Sequence, residues 1–344
     1  MRKRFNGISG ILAAVAMLVI ILDTKTALNG AQEGLQLCIR TVIPALFPFF
    51  VLSGILNSWL LGRSGGIPGA IGKFTRLPRG SESLLLVGLF AGYPVGAQLV
   101  AQAYEEGKLQ LHTARRMLGF CSNAGPAFIF GMLTPMFHNP VIPWLIWGLH
   151  IGSALLVGSL LPGDAPDSCV IEKAETTSLP LSLRNAIRNM SIVCGWVMVF
   201  RIILAFCARW FLWLVPDEMQ VLFCGILELS NGCVMLSKLP IEGVRFILAG
   251  FMLSFGGVCV AMQTLSVAHR IGLGIYFPGK ALQAYTTALA SYFLQYLIFP
   301  KQERLIISPP AVIILLAGVI LTVYLVRRKK VVAFGGRMLY NTGN

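Results

Sequence analysis

Long apolar segments separated by short polar stretches run through most of the chain. Ten candidate membrane segments follow from this pattern: residues 8–22, 37–61, 84–101, 127–137, 141–161, 192–215, 221–236, 246–267, 281–299 and 311–326. Several are shorter than the roughly 20 residues that a straight membrane-spanning helix needs. Two of them, 84–101 and 221–236, carry a central break and are predicted to be re-entrant. The pattern therefore predicts an all-α polytopic membrane protein with about eight transmembrane helices and two re-entrant or broken hairpins.

The composition supports this class and excludes an ordinary soluble domain. Hydrophobic residues make up 56% of the 344 positions and charged residues only 12%, whereas roughly a quarter of a soluble domain is charged. The net charge of +14 is explained by basic residues that flank apolar runs, for example at 2–4 and 327–330. This distribution favours two cytoplasmic termini and argues against nucleic acid as a partner. The eight cysteines form no C-x-x-C pair, so no disulfide, metal or other cofactor is predicted.

The two halves of the chain resemble each other at an offset of about 130 residues. Residues 108–126 correspond to 238–257, so that the break at 122–126 falls in register with Gly256 and Gly257. Matched breaks of this kind are typical of the repeated halves of secondary transporters. The predicted units are an N-terminal membrane anchor (1–27), a first repeat (28–161), a polar linker (162–180), a second repeat (181–300) and a C-terminal transmembrane helix with a basic tail (301–344).

Charge on two connecting segments bears on the orientation of these halves. The loop 62–83 is rich in glycine, proline and basic residues and is predicted at the cytoplasmic face. The linker 162–180 is mostly acidic, which mildly favours an external position and parallel halves. Inverted halves stay an alternative, because both the parallel and the inverted arrangement place the two termini in the cytoplasm.

The first break comprises Gly92, Tyr93, Pro94 and Gly96. Pro94 cannot donate an N–H group and disfavours a helical conformation at Tyr93, so the chain is expected to turn there. We interpret the turn as a hairpin tip that lines a solute path. The alternative is a kink that is absorbed by helix packing.

The second break comprises Ser122, Asn123, Gly125 and Pro126. A helix that begins near Pro126 would direct its free N–H groups and positive dipole end toward whatever lies in front of it. This arrangement suits an anionic group on a solute. The alternative is an N-cap that serves only the helix itself.

In the second half, Glu228, Ser230 and Asn231 interrupt an apolar segment. A carboxylate at membrane depth is costly and suggests a solute site, a proton relay or an ion ligand. The alternative is a structural ion pair with Arg201, which is the other deeply placed charge.

Two further polar residues stand in apolar surroundings. Lys280 either faces an anionic solute or extends to the membrane interface, and His150 is expected to form a hydrogen bond between helices. Residues 274–281 match the skeleton of a phosphate-binding loop, but Ala281 replaces the hydroxyl residue that would bind magnesium. No catalytic constellation is found, and the chain is not predicted to be an enzyme.

Several of these segments resemble a known family. They are VIPALFPFFVL at 42–52, GYPVGA at 92–97, FCSNAGPAFIFG at 120–131 and, more loosely, LELSNG at 227–232. The chain resembles sporulation integral membrane proteins of the YlbJ type, which are built from nucleoside-recognition ("Gate") domains. The resemblance implies two Gate-like halves and a location in the bacterial cytoplasmic membrane, in the mother cell of an endospore former. It also implies movement of dipicolinic acid, a small planar dianion, toward the developing spore.

Three functional hypotheses follow. The first is a secondary carrier or facilitator of a small organic anion, with dipicolinate as the favoured solute. The second is a carrier of nucleosides or another neutral solute. The third is a non-transporting membrane factor in assembly of the spore envelope. The expected partners are the solute and the lipid bilayer, and a homo-oligomer is left open.

Overall fold

The structure is a computed structural model that describes residues 2–60, 66–162 and 177–306, together with 316–318, 320 and 322–324. These residues form helices and connecting turns and contain no strand, which confirms the all-α class. Most of the predicted linker and the basic tail from 325 onward lie outside the described residues.

The helices of the first half are α1 (Arg2–Leu22), α2 (Thr24–Leu37), α3 (Ile43–Leu60), α4 (Gly66–Thr75), α5 (Glu82–Ala91), α6 (Val95–Glu105), α7 (Leu111–Leu118), α8 (Pro126–Leu133) and α9 (Ile142–Leu160). A π-helical turn, Cys38–Val42, joins α2 to α3 without a loop. Those of the second half are α10 (Leu179–Trp210), α11 (Asp217–Leu227), α12 (Leu229–Met235), α13 (Glu242–Phe255), α14 (Gly257–Val267) and α15 (Tyr276–Ile298).

In the described residues, four segments are long and apolar enough to cross a membrane: Thr24–Leu60, Ile142–Leu160, Leu179–Trp210 and Glu242–Val267. Shorter apolar helices include Glu82–Ala91 and Pro126–Met136. The prediction of about eight spans stays a prediction, because half-length helices do not reveal by length and composition how they lie in a bilayer.

The frame of the molecule is the antiparallel pair formed by the α2–α3 segment and α10. Pairs of contacting residues run along the whole pair in opposite directions: Gly30 with Ile202, Gly34 with Met198, Cys38 with Cys194, Gly54 with Ser182 and Ser58 with Thr177. At Gly30 and Gly34, an added Cβ would lie only 3.0 and 3.1 Å from α10 backbone atoms. Small residues at this spacing let two helices approach closely inside a membrane.

One of the contacts in this pair bears on the predicted orientation. The backbone N–H of Thr177 donates to Ser58 Oγ at 2.9 Å, so the start of α10 and the end of α3 lie at the same end of the pair. The basic loop leaves α3 there, and the linker enters α10 there. The basic loop and the linker are therefore attached at the same end of this helix pair, while their placement on opposite membrane faces stays a prediction.

The helices are interrupted where glycine, proline and polar residues predicted a break. Helix α5 ends before Gly92, which has φ +87°, and α13 ends before Gly256, which has φ +82°. Helix α11 ends at Leu227, and α12 begins after Glu228. After the long segments α2–α3 and α10, each half contains two interrupted helix pairs followed by one long helix. Apart from α4, which has no counterpart after α10, the order of these helices is the same in both halves. The structural repeat itself stays a prediction.

Arg116 fixes the position of α7 by binding to the ends of two other helices. Its buried guanidinium donates to the Gly158 carbonyl at 2.5 Å and the Leu161 carbonyl at 3.2 Å, and also to the carbonyls of Thr75 and Arg76. The unpaired carbonyls at a helix C-terminus carry partial negative charge and favour a cation. This side chain therefore holds the ends of α4 and α9 together in front of the second break.

Close packing at the first break leads to a test of the fold. A Cβ at Gly88 would lie 2.1 Å from the Cys121 carbonyl oxygen, which is backbone and cannot rotate away. We expect Gly88→Ala to destabilise the protein by about 1–3 kcal/mol, the usual cost of overpacking. Thermal unfolding in detergent would measure the change. Gly148→Ala is the control, because Gly148 has open space around it and alanine favours a helix by up to about 1 kcal/mol. Equal stability of the two variants would contradict this packing.

Candidate functional site

The interruptions of the two halves meet in the interior. A Cβ at Gly125 would lie 3.1 Å from the Cα of Gly92, so the first and second breaks are in direct contact. From the first break, Tyr93 reaches the other half, where its hydroxyl donates to the Leu253 carbonyl at 2.9 Å. A Cβ at Gly256 would lie 3.1 Å from the same hydroxyl. The residues 92–94, 122–126 and 253–257 form what we call the break cluster.

Lys280 is fully buried beside the break cluster. Its ammonium donates to the Ser122 carbonyl at 2.9 Å and to Gln283 Oε1 at 2.6 Å, and it lies 3.4 Å from Asn123 Oδ1. It also lies 5.1 Å from the centre of the Tyr93 ring, within the range of a cation–π interaction. The alternative that Lys280 extends to the membrane interface is wrong.

The oxygen atoms around Lys280 are neutral. In the part of the chain that the structure describes, no carboxylate lies within ion-pair distance of its ammonium. A buried charge is costly unless other groups pair with it or donate and accept hydrogen bonds. The side chain is held by carbonyl and amide dipoles, which leaves its formal charge without a counter-charge among the described residues.

A chain of hydrogen bonds connects this cation to three long helices. Gln283 donates to Asn123 Oδ1 at 2.9 Å and to the His150 carbonyl at 3.1 Å. His150 Nε2 accepts from the Ala124 N–H at 3.1 Å, so in the neutral ring Nδ1 carries the proton and donates to Ser254 Oγ at 2.9 Å. The predicted role of His150 in joining helices is confirmed, since it links α9 to α13 and α15.

Two side chains continue this network beyond the predicted residues. Thr287 Oγ1 lies 2.8 Å from Ser254 Oγ and 2.7 Å from Ser153 Oγ. Gln283 and Thr287 follow Lys280 at positions that share one helix face. That spacing of polar residues within a mostly apolar helix was the signal that could have identified them. Ser254 lies two residues before Gly256, within the break cluster.

The second break does not serve as a side-chain N-cap. Helix α8 begins at Pro126, and its N-cap residue Gly125 makes no side-chain capping bond. The Asn123 amide instead donates to the Phe120 carbonyl at 2.7 Å and accepts from Gln283. The buried Ser122 hydroxyl has no hydrogen-bond partner among the described residues. The alternative in which these residues cap only their own helix is therefore wrong for Asn123 and Ser122.

Glu228 is buried and makes local contacts. Its carboxylate accepts from the N–H groups of Ser230 at 3.0 Å and Asn231 at 2.8 Å, and from the Asn231 amide at 2.6 Å. It therefore caps α12 in the manner of an N-cap carboxylate. Arg201 forms its ion pair with Glu33 on α2. The alternative of a Glu228–Arg201 pair is wrong.

A small cavity lies between the breaks of the two halves. Its volume is about 30 Å³, and its walls include Tyr93, Gly125, Glu228 and Ser230. A space of this size accommodates roughly one water molecule. Pro94, Gly96, Gly257 and Lys280 do not line it. Gly96 packs against the Cys121 carbonyl, and Gly257 lies against the backbone of α11.

Replacement of His150 tests whether this network stabilises the helix packing. We expect His150→Leu to lower the free energy of unfolding by about 1–3 kcal/mol, because the buried Ala124 N–H loses its acceptor, while Ser254 keeps its bond to Thr287. Denaturant or thermal unfolding of the detergent-solubilised protein would measure it. His269→Leu, at an exposed turn, should change stability by no more than about 0.5 kcal/mol. A similar small change in both variants would contradict the proposed role of the network.

Comparison with known proteins supports a YlbJ-like family and a membrane location. The chain is similar to the sporulation integral membrane protein YlbJ of Bacillus subtilis (strain 168), with 20% identity over 317 residues that cover 78% of each chain. No family model matches the chain, and no solved structure matches it. Together with the apolar helices, this relative indicates a helical integral membrane protein.

Proposed function

We propose that this protein is a membrane transporter of a small organic anion and that its solute site forms at the break cluster. The observation that carries the proposal is Lys280, a fully buried lysine that has no described carboxylate beside it to balance a positive charge. A solute carboxylate would supply the missing counter-charge. The buried hydroxyl of Ser122, which lacks a described partner, is a further donor for such a group.

The small cavity between the breaks defines the conformational step that transport requires. Its volume of about 30 Å³ is far below the roughly 300 Å³ or more of a usual small-molecule site. The proposed site is therefore closed in this conformation. Tyr93 lies between Lys280 and the small cavity, so movement of its ring would expose the cation. Loop and domain motions of this kind accompany the catalytic or transport cycle of many proteins.

The arrangement of the long helices supports alternating access by inverted repeats. Corresponding elements of the proposed repeats, α2–α3 and α10, run antiparallel. The C-terminal end of α9 and the start of α15 both contact Gly119, which is expected if that pair is also antiparallel. In transporters with inverted repeats, broken helices meet near the bilayer midplane and one half moves against the other. We propose this architecture, with Gate-like halves, in place of the parallel halves.

Dipicolinic acid is the solute that we favour, during endospore formation. The relative from Bacillus subtilis is named a sporulation integral membrane protein, and we extend that process to this chain as part of the proposal. Dipicolinate carries two carboxylates on a planar ring, which suits one buried cation and several amide donors. The basic net charge of +14 would raise the local concentration of such an anion.

A neutral solute such as a nucleoside is the second candidate. A larger cavity between α3, α6 and α10 is lined mainly by amides and hydroxyls. Such groups recognise hydrogen-bonding solutes without regard to charge. Uptake of uridine compared with uptake of dipicolinate distinguishes the two kinds of solute.

Uptake into liposomes that contain the purified protein tests the proposal. We expect radiolabelled dipicolinate to accumulate faster than in protein-free liposomes and Lys280→Met to lower the initial rate by at least about tenfold, equivalent to about 1.4 kcal/mol of lost stabilisation. Lys280→Arg retains the charge and should retain part of the rate. Lys73→Met, at an exposed position of α4, should transport normally.

The other outcomes are equally informative. A folded Lys280→Met protein that transports dipicolinate at the native rate would contradict the role of the buried cation. Uptake of uridine without uptake of dipicolinate would favour the neutral-solute carrier. If the native protein takes up neither solute, the non-transporting assembly factor becomes the better hypothesis.

A further inference from the structure

A second cavity, larger than the one between the breaks, lies outside the break cluster. It encloses about 430 Å³ between α3, α5, α6 and α10, which is within the usual range of small-molecule sites. Amide and hydroxyl side chains dominate the polar part of its lining, which includes Asn57, Gln98, Gln102, Ser182, Asn185 and Asn189. This set of residues predicts a water-filled space and not one filled by lipid chains, because hydrocarbon cannot form hydrogen bonds with them.

Two of the lining groups lack a partner within the described residues. The side-chain oxygens of Asn57 and Ser182 are buried and accept or donate no hydrogen bond there. They lie on α3 and α10, which face each other across the cavity. An unsatisfied buried polar group is costly, and groups of this kind in a polar, roomy cavity are usually satisfied by water or a ligand.

The large cavity and the small one lie in sequence along the same pair of helices. On α3, Leu46 lines the small cavity and Phe50 the large one; on α10, Val193 lines the small cavity and Asn189 the large one. Each pair of residues is four positions apart, which is about one helical turn. The barrier between the cavities is therefore about one turn thick.

The barrier contains a hydrogen bond between two helices and buried apolar side chains. The Asn189 amide donates to Gln98 Oε1 and joins α10 to α6. Phe50 and Val193 are each 3% exposed and fill the remaining space. This hydrogen bond and these two buried side chains thus lie in the helical turn between the large cavity and the small one.

Charge at the outer end of the large cavity is balanced. Lys108 forms an ion pair with Glu106 at 2.6 Å. Burial raises the pKa of the Glu106 carboxyl, but hydrogen bonds from Lys108 and Gln102 outweigh burial and leave the pKa below its ordinary value. Glu106 is therefore ionised at neutral pH, and the lining carries no net formal charge. A solute would be recognised there by hydrogen bonds, with binding weak enough to let it move on.

We infer that the large cavity is the vestibule through which a small hydrogen-bonding organic solute reaches the break cluster, and that the Gln98–Asn189 contact with Phe50 is the constriction between them. This inference rests on the proposed function of transport. It adds a route and a second binding region to the site around Lys280. Carboxylate, hydroxyl and ring-nitrogen groups all suit the amide lining.

Cysteine labelling in proteoliposomes tests the vestibule without measuring transport. Ser182→Cys is a conservative change at a buried wall position, and we expect a charged, membrane-impermeant methanethiosulfonate to modify it at least about tenfold faster than Ile187→Cys. Ile187 lies on the same helix but is 53% exposed on the apolar outer surface. The native protein gives the background from its own cysteines. Modification of Ser182→Cys no faster than of Ile187→Cys would overturn the inference.

A second labelling experiment tests the constriction. Ser230 lies on the wall of the small cavity, so a Ser230→Cys side chain is separated from the vestibule by the constriction at Asn189. We expect its modification to become about fivefold faster when Asn189→Ala removes the hydrogen bond to Gln98, the change expected for one typical hydrogen bond. Asn185→Ala, which alters the vestibule but not this contact, should leave the rate unchanged. Equal rates in both backgrounds would overturn the assignment of the constriction.

The two proposals fail in different ways. If Ser182→Cys is labelled but dipicolinate is neither transported nor able to slow the labelling, the vestibule holds and the choice of solute is wrong. Dipicolinate could instead be transported without slowing the labelling, and transport could continue after Ser182→Cys has been modified. In that case the transporter holds and the vestibule is overturned. Uridine in place of dipicolinate in the same protection assay identifies a neutral solute.

Discussion

A cation buried where helices are interrupted must be stabilised by other polar groups, and the centre of this protein is arranged around that requirement. In a continuous helix the Ser122 carbonyl would accept a backbone N–H. Because the helix is interrupted before α8, this carbonyl accepts from Lys280 instead. Asn123 and Gln283 connect that cation to the helices on either side. Breaks and cation are thus mutually dependent, since each supplies the hydrogen-bond partners that the other lacks.

The frame around this centre is built from simple contacts. The antiparallel α2–α3 and α10 pair is closely packed at Gly30 and Gly34, where small residues allow approach, and further along polar side chains from both of its members line the large cavity. Both cavities therefore lie along one helix pair. Because that pair contacts the breaks of both halves, a change in its spacing would alter access to the centre, which is the mechanical requirement of the proposed transport.

The sequence predicted the interruptions well and their contacts poorly. Glycine and proline at 92–96 act locally on the backbone, so their effect could be inferred from position alone. The sequence suggests Glu228 and Arg201 as partners, because each is a charged residue within an apolar segment. The structure instead pairs Arg201 with Glu33 and turns Glu228 onto its own helix. The pairing of charged side chains depends on how helices that are distant in sequence are oriented. No local sequence pattern encodes that orientation.

The sequence by itself determined the helical membrane class, the places where helices are broken and the residues that are too polar for their surroundings. These follow from composition, helix breakers and the cost of polar groups in hydrocarbon, all of which act over a few residues. Only the tertiary structure decided that Lys280 points inward, that the end of α3 and the start of α10 lie together, and that an amide-lined cavity adjoins the breaks. Those features arise where helices from both halves pack together, so their physical cause lies in contacts between residues far apart in the chain.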